Sequence, residues 1–204
     1  MSRIISANEG GNLLSVLCKT QNFLGNSNDL TVAGSSAGQW DYKAGFTSVA
    51  KNQPGPDGEL NTANRLVGGA ANALYARQSL SGTALSESDF MTISMWARRE
   101  SGDHGLRFDI GDGTDPSTRT YNPPTEQDWY WFWLTCEAGT ASWLDINFVS
   151  GTSDTTWDIH NMQVNQGTIP FLYTDTQTNA FSPLAFETRT IKQSDLWRIG
   201  TEVK

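Results

Sequence analysis

Gly34-Ser35-Ser36-Ala37-Gly38 satisfies the G-x-S-x-G pattern of a nucleophile elbow. That device needs a strand before the serine, a helix after it and a histidine base within reach. The residues that follow, QWDYKAGF (39–46), read as strand, and the two histidines, His104 and His160, fall in strand-like or loop contexts. The pattern is therefore read as a loop of small residues. Glycoside hydrolysis would need two carboxylates flanking the scissile bond at a set separation. Asp109, Asp112, Asp115, Asp145, Asp154 and Asp158 are available, but no spacing selects a pair, and most sit where turns favour Asp. Asp109, Asp112 and Asp115 also form D-x-x-D-x-x-D, oxygen donors of the kind calcium gathers, roughly six to eight at a time. Their register is not that of an EF-hand loop, and a Gly/Asp-rich hairpin turn accounts for them. No catalytic set, cofactor or metal site is expected.

The stronger signal is aromatic. DWYWFWLTC (128–136) carries an unbroken aromatic run at 129–133, in a chain with eight tryptophans. Exposed Trp and Tyr offer a π-face on which the C–H face of a pyranose can stack, whereas buried ones fill the layer between two sheets. In a strand, successive side chains point to opposite faces. Trp129, Trp131 and Trp133 then share one face, and Tyr130, Phe132 and Leu134 share the other. Neither set is polar, so at least one faces a core. The opposite set is open to a sugar or to another subunit, the subunit being favoured because large apolar patches mark association sites. The candidate carbohydrate or subunit contacts are Trp40, Tyr42, Trp129, Trp131, Trp133 and Trp143, with Asn and Asp in adjacent loops to bond hydroxyls.

Short apolar-alternating runs separated by Gly/Asn/Asp/Ser/Pro clusters must position these residues. They predict strands at 29–33, 39–49, 64–67, 73–80, 90–99, 105–110, 129–137, 143–149, 156–165 and 170–174. Many short strands with marked turns (PGPDG at 54–58, SGTSD at 150–154) indicate a β-sandwich or barrel. One segment competes: Leu60, Ala63, Leu66, Val67, Ala70, Ala71 and Leu74 fall at helical spacing. Gly68 and Gly69 would each cost a helix about 1 kcal/mol relative to Ala, so a strand at 64–67 and a loop at 68–72 are preferred. Residues 1–22 lack a clean period and read as an extended N-terminal arm. Residues 23–181 form one domain. The more charged 182–204, SPLAFETRTIKQSDLWRIGTEVK, is a C-terminal extension that packs back on the domain or reaches a neighbouring subunit.

A formal charge of −8 over 204 residues and a pI near 4.6 argue against nucleic acid or an anionic membrane as partner. No apolar run approaches the roughly 18–20 residues that span a bilayer. The start, MSRIISANEGGNLLSVLCKT, lacks the apolar stretch and cleavage site of a secretory signal, so synthesis and retention in the cytosol are expected, with release by lysis. Cys18 and Cys136 are too few for a disulfide framework or a four-ligand zinc site. No bridge between them is expected after synthesis in a reducing compartment.

The ordered series of segments resembles a family of jelly-roll domains in bacteriophage virion proteins, similar to carbohydrate-binding modules. The segments are NFLGNSNDL (22–30) followed by Trp40, PDGELNTANRL (56–66), MTISMWARR (91–99), DWYW (128–131), WDIHNMQVNQGT (157–168) and PFLYT (170–174). The usual Trp-Gly before Gln163 is His160-Asn161 here, and the usual acidic residue after it is Asn165. The resemblance implies an all-β jelly-roll β-sandwich with extended N- and C-terminal arms, in which those departures fall at structural positions. It further implies a non-enzymatic structural protein on the virion surface, assembled in the host cytoplasm. A capsid decoration (cement) protein whose two arms grip major capsid or tail subunits is expected, since no long fibre shaft is present, and a homotrimer is its expected state. The alternative is a tail-fibre or baseplate adhesin whose jelly roll binds a host-surface carbohydrate.

Overall fold

In a computed structural model the chain is all-β. The structure describes residues 3–7, 13–34, 38–44, 46–68, 75–79, 89–102, 105–111, 117–121, 128–138, 143–148, 155–171, 173–176 and 182–192. The strands are β1 (Arg3–Ala7), β2 (Leu13–Asn22), β3 (Asp41–Ala44), β4 (Phe46–Gln53), β5 (Ala63–Gly68), β6 (Tyr75–Ser79), β7 (Asp89–Ser101), β8 (Leu106–Gly111), β9 (Ser117–Tyr121), β10 (Tyr130–Ala138), β11 (Trp143–Phe148), β12 (Thr156–Gln166) and β13 (Ser182–Lys192). Two five-stranded sheets, β10-β7-β12-β5-β4 and β3-β6-β11-β8-β9, accompany a three-stranded sheet, β1-β2-β13. Every named strand pairing is antiparallel. From β5 to β12 the chain repeatedly crosses between the two five-stranded sheets, and this strand order is that of a double-sheet jelly roll.

Period-two alternation builds the core. On β7, Met91, Ile93, Met95 and Ala97 are buried, and β12 adds Trp157, Ile159, Met162 and Val164. Leu106 of β8 and Ile146 of β11 join the same cluster from the facing sheet. Each such side chain contributes about 1.5–3 kcal/mol by leaving water. The alternation on β12 would fail midway were it not for a bulge. His160 pairs with Trp96 and Gln163 with Ser94, so Asn161 and Met162 together face the single residue Met95. Asn161, at φ 53°, absorbs the extra residue in the left-handed region, so that Met162 and Val164 stay in the core while Gln163 and Asn165 turn to the other face, buried there.

Buried side-chain amides hold the loops where strand pairing stops. Asn22 donates to the carbonyls of Met162 (3.3 Å) and Thr174 (3.0 Å) and accepts from the N–H groups of Leu24 (3.2 Å) and Val164 (3.1 Å). Gln78 exchanges two 2.8 Å bonds with the backbone of Gly25. Asn64 accepts from the Leu30 N–H at 2.9 Å. Each amide offers donors and an acceptor at once, so it can stand in for a missing strand neighbour.

The structure corrects several expectations. Residues 29–33 form a turn with one isolated bridge, Ala33 to Trp40, rather than a strand. The 39–49 run divides into β3 and β4, which belong to different sheets. Residues 170–171 and 173–174 are not strand: their backbone bonds go to the Gln163 and Asn165 amides. β9 was not anticipated. At the chain ends, the segment read as an extended arm contains the paired strands β1 and β2, and β13 lies against β2 with Lys192 opposite Leu13 and Ser182 opposite Asn22. The residues after Gly38 run into strand β3, which leaves the elbow pattern without its helix; Ser35, Ser36 and Ala37 lie outside the described residues.

Candidate functional site: the outer face of the β7 sheet

β10 presents its two faces to different surroundings. Phe132 is buried in the core and Leu134 packs against it. Trp131 and Trp133 therefore point away from the core; Trp133 is 39% exposed and Trp131 half-buried. The register extends this outer face across the sheet. Trp131 lies opposite Trp96, itself opposite His160; Trp133 opposite Ser94, then Gln163; Thr135 opposite Thr92, then Asn165. One row further on, Arg98 lies opposite Asp158, and Asp158 opposite Arg65. These residues were distant in sequence, and only strand pairing assembles them.

The charged row is tightly bonded. Asp158 is fully buried and accepts from Arg65 Nε (2.7 Å) and Nη2 (2.9 Å) and from Arg98 Nη2 (2.7 Å). Glu100 reaches both guanidiniums at 3.5 Å. The hydrogen bond to Asp158 holds the Arg65 guanidinium above its ordinary pKa, against the opposing effect of its burial. Arg98 also covers one face of the Trp129 ring, 5.0 Å from its centroid, and the His160 ring meets Trp129 edge-on at 6.4 Å. Cation–π contact thus occupies Trp129. His160 Nδ1 donates to the Thr62 carbonyl at 2.9 Å, since a carbonyl can only accept, so its ring is a packing element.

Residues 167–171 close one end of the face. Gly167 N–H donates to the Phe90 carbonyl (2.7 Å), and the Thr92 hydroxyl to the Gly167 carbonyl (2.7 Å). Thr135 bonds the Thr168 carbonyl at 3.2 Å, while Asn165 donates to Ile169 (3.0 Å) and accepts from the Phe171 N–H (3.0 Å). What stays open is a strip along β10 and β7 bearing Phe90, Trp133, Trp131 and Trp96, with Arg98 and Glu100 at its far end. Phe90, Trp133 and Ile169 are three of the four exposed large apolar side chains among the described residues, which concentrates apolar surface here.

A second concavity, about 250 Å3, lies at the loop end and is lined by Asn26, Asn28, Asp29, Lys51, Asp175 and Thr176. No aromatic ring lines it. Beside it, the hydroxyl of the half-buried Tyr173 bonds Ser27 Oγ (3.2 Å) and Asp175 (3.3 Å), and partial burial raises its pKa.

Of the six contact residues suggested by sequence, Trp129, Trp131 and Trp133 come together on one face. Trp40 is fully buried, its indole N–H bonded to the Asn26 carbonyl at 3.4 Å; it is a core residue and not a surface contact. The side chains of Tyr42 and Trp143 lie outside the described residues, as do Asp112, Asp115, Asp154 and His104. Asp109 and Asp145 are register partners on β8 and β11. Sequence reasoning missed Trp96, Arg98 and Glu100, although their period-two spacing on β7 matches that of the β10 tryptophans and was the available signal.

No protein-family model matches the sequence, and neither does any curated protein. Among solved structures, an exo-β-agarase superposes with a TM-score of 0.51 at 9% identity, over 74% of this chain and 26% of its own. The enzymatically active domain of bacteriophage CBA120 tailspike protein 4 gives 0.49 at 17% identity, over 72% of this chain and 21% of its own. TmCBM61 in complex with β-1,4-galactotriose gives 0.49 at 14%, over 72% of this chain and all of that one. The chain thus spans about a fifth to a quarter of the tailspike and agarase structures. At such identities the likeness speaks to fold alone: the protein is an all-β jelly-roll sandwich, an architecture it shares with part of the agarase.

Proposed function

We propose that the protein is a non-catalytic carbohydrate-binding domain, used as an adhesin, and that glycan lies on the outer face of the β7 sheet. One observation carries this: Trp131 and Trp133 face outward beside bonded guanidinium and carboxylate groups, so stacking surface and hydroxyl-bonding groups adjoin. From Trp131 to Trp133 the strand runs ~7 Å at about 3.4 Å per residue, room for one or two sugar rings. A place on a phage tail fibre or baseplate, at the virion surface, fits such an adhesin. The test is affinity electrophoresis and calorimetry against a polysaccharide panel. Trp133→Ala should weaken binding about tenfold or more, the scale of a lost aromatic contact, without shifting the unfolding midpoint appreciably. A variant that binds every ligand of the wild type unchanged would refute this placement.

A second reading is supported by Phe90 and Ile169, whose exposed apolar groups suit a polypeptide better than a sugar. On it, the strip is a contact with another copy, as in a homotrimer, or with a capsid subunit, as in a decoration protein. Sedimentation of the wild type and of Phe90→Ser decides it: a trimer dissociated by the substitution favours this reading, and a monomer at micromolar concentration removes the homotrimer.

A further inference from the structure

Building on the reading of this face as a glycan site, we infer that the glycan it accepts is uncharged and that Glu100 is the residue that recognises its hydroxyls. The argument is one of charge count. Arg65 and Arg98 are the cations of the charged row, and each is already matched: both bond the buried Asp158, and both lie 3.5 Å from Glu100. Two guanidiniums face two carboxylates, which leaves no surplus positive charge. Arg99, the next residue on β7, belongs to the opposite face and is buried. Lys51 lies in the loop-end cleft, and Asp128, exposed beside Trp129 in the chain, adds negative charge.

A uronate or sulfate ester brought to this strip would shed water and find no unmatched cation among the described residues, at a site that already carries Glu100. Desolvation without compensation rejects it. A neutral sugar meets complementary groups. Asp158 is inaccessible, so Glu100, whose side chain is 36% exposed, is the carboxylate of the row that a ligand can reach. It is steadied by two guanidiniums, and its oxygens can accept from hydroxyl donors while Arg98 donates to a hydroxyl oxygen. Hydrogen bonds to an ionised acceptor are stronger than neutral ones, and this geometry makes Glu100 a specificity residue.

The experiment compares wild type with Glu100→Gln on matched soluble polymers: neutral β-glucan and galactan, a polyuronate and a sulfated galactan, each at low and high salt. The wild type should bind at least one neutral polymer at least tenfold more tightly than either anionic one, with little dependence on salt. Glu100→Gln should lose about tenfold on the neutral polymer and gain on the polyuronate, because the row then carries net positive charge. Tight wild-type binding of an anionic polymer, weakened by salt as screening requires, overturns the inference while leaving the face a glycan site. Unchanged neutral binding by Glu100→Gln removes its assigned role. Binding to none of the four polymers overturns both the inference and the glycan reading beneath it.

Discussion

Replacing Asp158 by Asn tests whether the charged row is held together as its geometry indicates. The substitution keeps the shape of the side chain and removes its charge. It disturbs three charge-assisted bonds of 2.7–2.9 Å at a fully buried position. Removing one partner from a buried ion pair costs about 3–5 kcal/mol, because the remaining charge is stranded. Here the stranded groups retain some water, the Arg65 and Arg98 side chains being 25% and 19% exposed, and Glu100 remains 3.5 Å away. Solvent screening and that second carboxylate put the loss at the low end, about 3 kcal/mol. With a urea slope of about 2 kcal/mol/M, the midpoint should fall by ~1.5 M at unchanged slope. Trp129 fluorescence should change as well, since Arg98 no longer has its anchor. The triple variant Arg65→Leu, Arg98→Met, Asp158→Leu removes the charges together and should be far less destabilised than Asp158→Asn alone. A loss below about 1 kcal/mol for Asp158→Asn, or a triple variant worse than the single one, would refute the reasoning.

Phe132→Ala should cost about 3–4 kcal/mol in chemical denaturation, since Phe132 belongs to the core, and the adjacent Trp133→Ala much less; equal losses would contradict the facing assigned to β10. Asn161→Gly should be near neutral and Asn161→Ala should cost about 1 kcal/mol, because φ is 53° there; thermal melts compare the two. Tyr173 has a folded pKa raised above its ordinary value of 10.0. Its contribution to stability is therefore fully present below pH ~10 and is lost as pH rises beyond, because the unfolded chain gives up its phenolic proton first. Tyr173→Phe should flatten the alkaline fall in stability, and an unchanged slope in pH-dependent urea melts would count against the burial assigned to the phenol.

Where a strand alternates cleanly, its sequence was enough to place it: β5, β7 and β12, each paired on both sides, and β10 at the sheet edge all fall close to the expected ranges. The aromatic strand shows the limit of that information. Its two faces were separable from alternation, but both are apolar, and only Met95 opposite Phe132 and Ser94 opposite Trp133 decide which is inside. Polar side chains acting as backbone were the larger omission. Thr174 and Phe171 look like strand in sequence, yet their partners are the amides of Gln163 and Asn165. Asn165 explains its own departure from the usual acidic residue, since it donates to Ile169 and accepts from Phe171, and a carboxylate could only accept. Asn161 explains the other, as Asn tolerates the left-handed backbone that a glycine usually supplies. Trp40 is the other limit: its burial and the bond of its indole N–H to the Asn26 carbonyl depend on a chain segment that local alternation does not bring near.

The pairing of β2 with β13 has a mechanical consequence. Leu13 and Lys192 lie opposite each other at one end of the ladder, and Asn22 and Ser182 at the other. Tension applied through residues 13 and 192 would pull at adjacent points, so the ladder would open one hydrogen bond after another rather than resist in shear. The tear would run to Asn22, where four side-chain bonds to the backbone of residues 24, 162, 164 and 174 replace the ladder. A domain wired this way yields at its ends under load while its sandwich stays closed.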